Sequence, residues 1–259
     1  MRRHRLRPVG LAALVAAAAL VAASSVVAAP EEIQVYLDDT VEPGHFGLDV
    51  HQNVALSGRT EPDYPGQRPA NHVYRLTPEF YYGLAPGLEL GVYVLSTLDP
   101  EHRAAVDGAK MRIKYIAPHD ETNGGFWGLN LEVGKSDRAL EDHPWNYELK
   151  GIAGYRVGRY TVGANLNLDA PLGAGAGPTT AELDTRFAVR IKGKTEAALE
   201  FYDALGPVAH PGHLSAQSQT VYAVLDTDAG PVDLELGLGR GLTSSADGWV
   251  VKLIAGVRF

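Results

Sequence analysis

After Pro30 the chain repeats one pattern about twelve times: a run of roughly ten residues in which apolar and polar side chains alternate strictly, closed by Gly, Pro, Asn or Asp. Period 2 places successive side chains on opposite faces of a strand, and no stretch keeps a helical period. The runs are His45–Ser57, His72–Leu84, Leu88–Leu98, Val106–Ala117, Phe126–Lys135, Trp145–Arg156, Tyr160–Ala170, Thr180–Ile191, Thr195–Asp203, Ala216–Asp228, Val232–Leu238 and Trp249–Phe259. Most match the length, about 9–11 residues, that a tilted strand needs to cross a bilayer.

In the clearest runs the face expected to point outward carries no charge. In Trp145–Arg156 the residues Trp145, Tyr147, Leu149, Gly151, Ala153 and Tyr155 oppose Asn146, Glu148, Lys150, Ile152, Gly154 and Arg156. Ala109, Met111, Ile113 and Tyr115 likewise oppose Lys110, Arg112 and Lys114, and Leu183, Phe187, Val189 and Ile191 oppose Glu182, Asp184, Arg186 and Arg190. A soluble β-sandwich also alternates. The clean apolar face decides against it, because Arg or Lys facing lipid at the bilayer midplane costs about 2–4 kcal/mol. The connections agree. Ala85-Pro86-Gly87, Val157-Gly158-Arg159, Lys192-Gly193-Lys194 and Ala229-Gly230 are tight turns, whereas the links 58–71, 136–144, 173–179 and 205–214 are long and polar. Short turns on one side and long loops on the other are the asymmetry of a bacterial barrel. The predicted fold is therefore all-β, a closed antiparallel transmembrane β-barrel of about 12 strands spanning 45–259.

Residues 1–28 read as a secretory leader: basic Met1–Pro8, an Ala/Leu/Val core from Val9, then the small residues before Ala28. The competing reading is a retained apolar helix, since Val9–Ala29 is nearly long enough to span. Removing Arg2, Arg3, Arg5 and Arg7 would lower Lys+Arg from 23 to 19 against 31 Asp+Glu, a formal charge of −12. So acidic a chain lacks the basic footprint of a nucleic-acid binder. With no Cys there is neither a disulfide frame nor a thiolate metal site. Residues 29–44 stand apart: Ile33, Val35 and Leu37 alternate with Gln34 and Tyr36 ahead of the first span. A periplasmic arm, a lumen plug and an added strand are all open to them.

The last run carries Trp249, Val251, Leu253, Ala255 and Val257 on one face and ends at Phe259. It resembles the assembly signal of outer-membrane β-barrels, which implies outer-membrane lipid and the barrel-assembly machinery as partners. Leu76-Thr77-Pro78-Glu79-Phe80, Gly83-Leu84-Ala85-Pro86-Gly87-Leu88-Glu89-Leu90-Gly91 and Asp107-Gly108-Ala109-Lys110 resemble the transporter-like barrel family named for phenol (MetA pathway) degradation. That resemblance implies an outer-membrane channel for small organic molecules, with no catalytic residues to carry over.

Parity assigns the lumen to Asp49, His51, Asn53, Arg75, Glu79, Glu89, Lys110, Arg112, Lys114, Glu132, Glu148, Lys150, Glu182, Asp184, Arg186, Arg190, Glu196, Glu200, Asp233, Glu235 and Lys252. Lys110, Arg112 and Lys114 form a basic row. Glu196, Glu200, Asp233 and Glu235 form an acidic patch several strands away, an arrangement that would set a transverse field across a pore. A salt-bridged filling that closes the barrel is the alternative. Asp49, His51 and Asn53 share a face but have no nucleophile beside them, Ser57 lying at the strand end, so no catalytic group is predicted. His210 and His213, two donors without a carboxylate, make a weak metal site, and no cofactor is expected. The link 59–71, with three prolines, is left as either an inward constriction or a mobile loop.

Overall fold

A computed structural model describes residues 31–173 and 175–259; the leader expected over 1–28 and the first residues of the 29–44 segment lie outside them. Twelve strands run β1 Phe46–Ser57, β2 Tyr74–Ala85, β3 Leu88–Leu98, β4 Ala104–Ile116, β5 Gly124–Ser136, β6 Trp145–Val157, β7 Tyr160–Pro171, β8 Thr180–Lys192, β9 Thr195–Pro207, β10 Ser218–Ala229, β11 Val232–Gly241 and β12 Trp249–Arg258. Each pairs antiparallel with its sequence neighbours, and β1 pairs with β12, so the sheet closes without an edge. The predicted runs match these strands closely. The largest differences are at β9 and β11, which extend to Pro207 and Gly241 because their partners continue the ladder beyond the sequence break.

Local chemistry sets the hairpins. Gly158 opens the two-residue turn between β6 and β7 at φ 59°, a backbone region that Gly enters without Cβ strain. At the seam, the Phe259 amide donates to the Phe46 carbonyl at 2.8 Å and the Phe46 amide to the Phe259 carbonyl at 3.3 Å. Phe259 thus completes the β1–β12 ladder.

The outer surface is apolar. Met111, Leu131, Leu166, Phe187, Leu199 and Leu236 project outward and are between 41% and 57% exposed. In water so broad an apolar belt would be a liability; against lipid it is the matching surface. Aromatic rings gather at its borders. Phe46 meets Tyr82, Tyr115 meets Trp127 and Tyr160 stacks on Phe187 near the short turns. Arg240 covers Trp249 near the long loops. Gln52, a polar side chain on the lipid face, is satisfied by the Tyr74 hydroxyl at 2.7 Å.

Candidate functional site

The lumen is built from the inward parity of every strand, and it is filled. His51, Asn53, Arg75, Glu79, Glu89, Arg112, Glu132, Lys150, Asp184, Arg186, Glu200 and Lys252 are buried and Asp49 is half-buried, all turned away from the outer belt. The two charged rows expected to face one another across a pore are instead neutralised close by, mostly within their own walls and at Lys110 by the N-terminal segment. Arg112 Nε donates to Glu79 at 2.5 Å and its Nη2 to Glu89 at 2.6 Å, with Lys114 on Glu89 at 3.2 Å and Lys110 on Glu31. On the far side, Arg186 binds Glu200 at 2.5 Å, Glu235 at 2.7 Å and Asp226 at 3.2 Å, and Lys252 binds Glu200 and Glu235 at 2.6 Å each. Close pairing offsets the cost of desolvating so many charges, and it removes the transverse field that unpaired rows would have set.

The remaining inward residues divide by depth. Lys150 pairs with Glu148 at 3.3 Å, Glu132 accepts from Asn130 at 2.8 Å, and Asp184 accepts from Asn167 at 2.7 Å. Glu182 lines a small cavity of about 60 Å³ under the long loops. Arg190 with Glu196 at 3.4 Å, and Asp233 with Arg258 at 4.0 Å, stand at the short-turn mouth, where Arg190 is about half exposed. Parity had not singled out Tyr81, Tyr93, Tyr202 and Tyr222, all buried in the lumen. The signal was present: Tyr81 is two residues from Glu79 and Tyr93 four from Glu89, the same face in each strand.

The awkward segment before β1 is inside the barrel. It is neither an added strand nor an outside arm. From Val41 at the short-turn mouth to Glu31 at the level of Asn53, it is held mainly through its backbone. Asn165 Oδ1 accepts the Tyr36 amide at 2.7 Å while Asn165 Nδ2 donates to the Tyr36 carbonyl at 2.8 Å. Glu89 accepts the Val41 amide at 2.7 Å, Lys252 donates to the Ile33 carbonyl at 3.0 Å, and Thr77 donates to the Glu31 carbonyl at 3.2 Å. Ile33 and Val35 pack against Ala188, Ala198, Tyr202, Tyr222, Val224 and Val250. Tyr36 turns toward the opposite wall, its hydroxyl 2.7 Å from that of Tyr93 and Lys150 Nζ 4.2 Å from its ring centre. Gly163 on β7 leaves the room that Leu37 needs, since a Cβ there would sit 2.4 Å from Leu37 Cδ2.

At the short-turn mouth Asp38 secures the arm. Arg156 binds it at 2.5 Å and His119 Nε2 lies 2.7 Å from it, with His119 Nδ1 2.8 Å from the Ala117 carbonyl. Both ring nitrogens face acceptors, so the imidazolium fits best. Burial works against that charge, but the Ala117 and Asp38 hydrogen bonds outweigh it and raise the His119 pKa. Burial, then the neighbouring Asp39, raises that of Asp38. Beside this latch lies a cavity of about 390 Å³, lined by both signs of charge, among them Asp39, Lys114, Arg156, Asp226 and Arg258. At the opposite end the link 58–71 folds inward. Arg68 reaches Asp107 at 2.9 Å and Ala70 is buried in the cluster around Ile33.

No protein-family model matches the chain, and no curated protein does. Among solved structures, an outer membrane channel from Pseudomonas putida F1 superposes with a TM-score of 0.60 at 12% identity, covering 88% of this chain and all of that one. The NanC porin (0.53, 12%) and the KdgM porin in complex with disordered oligogalacturonate (0.51, 10%) each cover 82% of this chain and 98% of their own. At such identities the likeness is one of fold: this chain is built as a closed twelve-stranded barrel of the outer-membrane kind.

Proposed function

We propose that this protein is a narrow outer-membrane channel for small solutes whose N-terminal arm occupies the passage at rest. The observation that carries the reading is the arm itself. The barrel wall is complete without it, and it adds no strand. It is held mainly by hydrogen bonds and ion pairs to wall side chains. A barrel of about twelve strands is wider than the packed eight-stranded kind, so withdrawing the arm leaves a polar bore already lined by balanced charge. Small organic solutes are the class implied by the resemblance to the phenol-degradation family, and the outer membrane is the place implied by the terminal assembly strand and the lipid-facing belt.

Deleting 29–40 tests this directly in planar bilayers. The shortened chain should give steady single-channel openings where the full chain stays closed for most of the record. A shortened protein that folds, shown by faster migration on gels when unheated, yet gives no openings would instead support the second reading, a closed structural barrel with the arm as part of its core. The inward link 58–71 favours that second reading, because it narrows the outer mouth independently of the arm.

A further inference from the structure

The Asp49-His51-Asn53 face gains a meaning once the arm is in place. Among the described residues one group has the make-up of a metal centre: Glu32 from the arm, His51 from β1 and Glu79 from β2, each offering a ligand atom, all within 4.8 Å of one another. The register explains the meeting. Asp49 lies opposite Glu79 and His51 opposite Thr77, so His51 and Glu79 are diagonal neighbours on the inward face. Their closest atoms, His51 Nε2 and Glu79 Oε2, are 3.3 Å apart. Two ligands on a tetrahedral Zn²⁺ with bonds of about 2.0–2.1 Å are separated by about 3.4 Å. The wall pair is thus already at ligand spacing, and Glu32 needs only a small side-chain adjustment to join it.

Two further features point to a ligand. His51 is 2% exposed, and its Nε2 meets Glu79 Oε2 only at a long 3.3 Å; an ion between them would turn that weak contact into two short bonds, shielded from water. In addition, Asp49 lies directly opposite Glu79 in the ladder, two residues from His51 on the same inward face, so carboxylates crowd this one ring. Arg112 holds Glu79 Oε1 and leaves Oε2 turned to His51, the arrangement in which an outer partner orients a ligating carboxylate. Imidazole with two carboxylates suits a divalent ion of the zinc type.

We propose that Glu32, His51 and Glu79 bind a divalent transition-metal ion, Zn²⁺ by preference, which fastens the arm to the barrel wall. Two ligands come from the wall and one from the arm, so the ion is held fully only while the arm is seated. The proposal depends on the arm's position and not on solute transport, and its test does not use conductance.

Full-length protein in detergent, stripped of metal with a chelator, is titrated with Zn²⁺ by calorimetry and with Co²⁺ by visible absorption. The expected result is one saturable site with the absorption bands of a nitrogen- and oxygen-bound Co²⁺. Glu32→Gln, which leaves every wall residue intact, should weaken binding by at least the roughly 10–100-fold that follows loss of a mere outer partner of a ligand, and His51→Ala should abolish it. His210→Ala with His213→Ala should leave it unchanged. Absence of a saturable site overturns the proposal. So does binding that survives in Glu32→Gln and His51→Ala but disappears in the loop double variant. Heat-modifiable migration on gels checks that each variant is folded; should His51→Ala fail it, Glu32→Gln decides alone.

Discussion

Lys252 is 1% exposed and donates to Glu200, Glu235 and the carbonyl of Ile33. Replacing it by Met leaves Arg186 alone to serve Glu200, Glu235 and Asp226, a loss of about 3–5 kcal/mol when one member of a buried ion-pair group is removed. Urea unfolding in detergent should show a shift of that size, largely recovered when Glu235→Gln is added. The neighbours Asn165 and Leu166 test the two faces of one strand. Leu166→Arg places a charge in lipid at a cost of about 2–4 kcal/mol, and membrane insertion measured by heat-modifiability should fall. Asn165→Leu should insert normally but release the arm, because the amide and carbonyl of Tyr36 each lose a partner, at about 1–3 kcal/mol per buried group. Protease access to the arm would report it. Equal insertion of both variants would reverse the assignment of inside and outside.

Among the elements, the twelve strands were legible because period 2, length and turn chemistry all pointed the same way. Gly158 at a tight turn and the charge-free row Trp145 to Tyr155 are local facts, and local facts survive in a sequence. The position of residues 31–41 was not legible. Its alternation is that of any short strand, and its partners, Asn165, Lys252 and Glu89, are distant in the chain and belong to three different walls. The same holds for some of the ion pairs: parity placed Lys252 and Glu200 in the lumen, while their meeting joins β12 to β9, strands that are not neighbours. The arm also carries a pH prediction. The His119 pKa is raised, so its contribution to the Asp38 latch is fully present below the ordinary histidine value of about 6.5 and is lost as pH rises through the higher value of the folded protein. Cleavage of the arm by an added protease should therefore quicken as pH rises above about 6.5. His119→Ala should be fast throughout. A rate that does not change with pH in the parent protein would rule out the latch.

At the scale of the molecule, wall and filling divide the work. The closed ladder has no edge to protect and meets lipid with side chains alone, which is what a bilayer requires of a β protein. Solvation of the interior falls to paired charges, tyrosines and the arm, so the bore is polar without being empty. This division lets the arm be altered without disturbing the wall, which is why deletion of 29–40 should leave gel migration of the barrel unchanged while altering its conductance.

The anchors of the arm are strung out from Val41 to Glu31. An extended chain advances about 3.3 Å per residue, so a slip of one step takes every anchor out of reach together, and a slip of two brings peptide groups back to the wall but parts Asp38 from Arg156 and His119 and drives Leu37 out of the space left by Gly163. Partial retreat therefore has no resting place. Current through a single molecule should jump between two levels, like a bolt either home or drawn, with no graded leak between them.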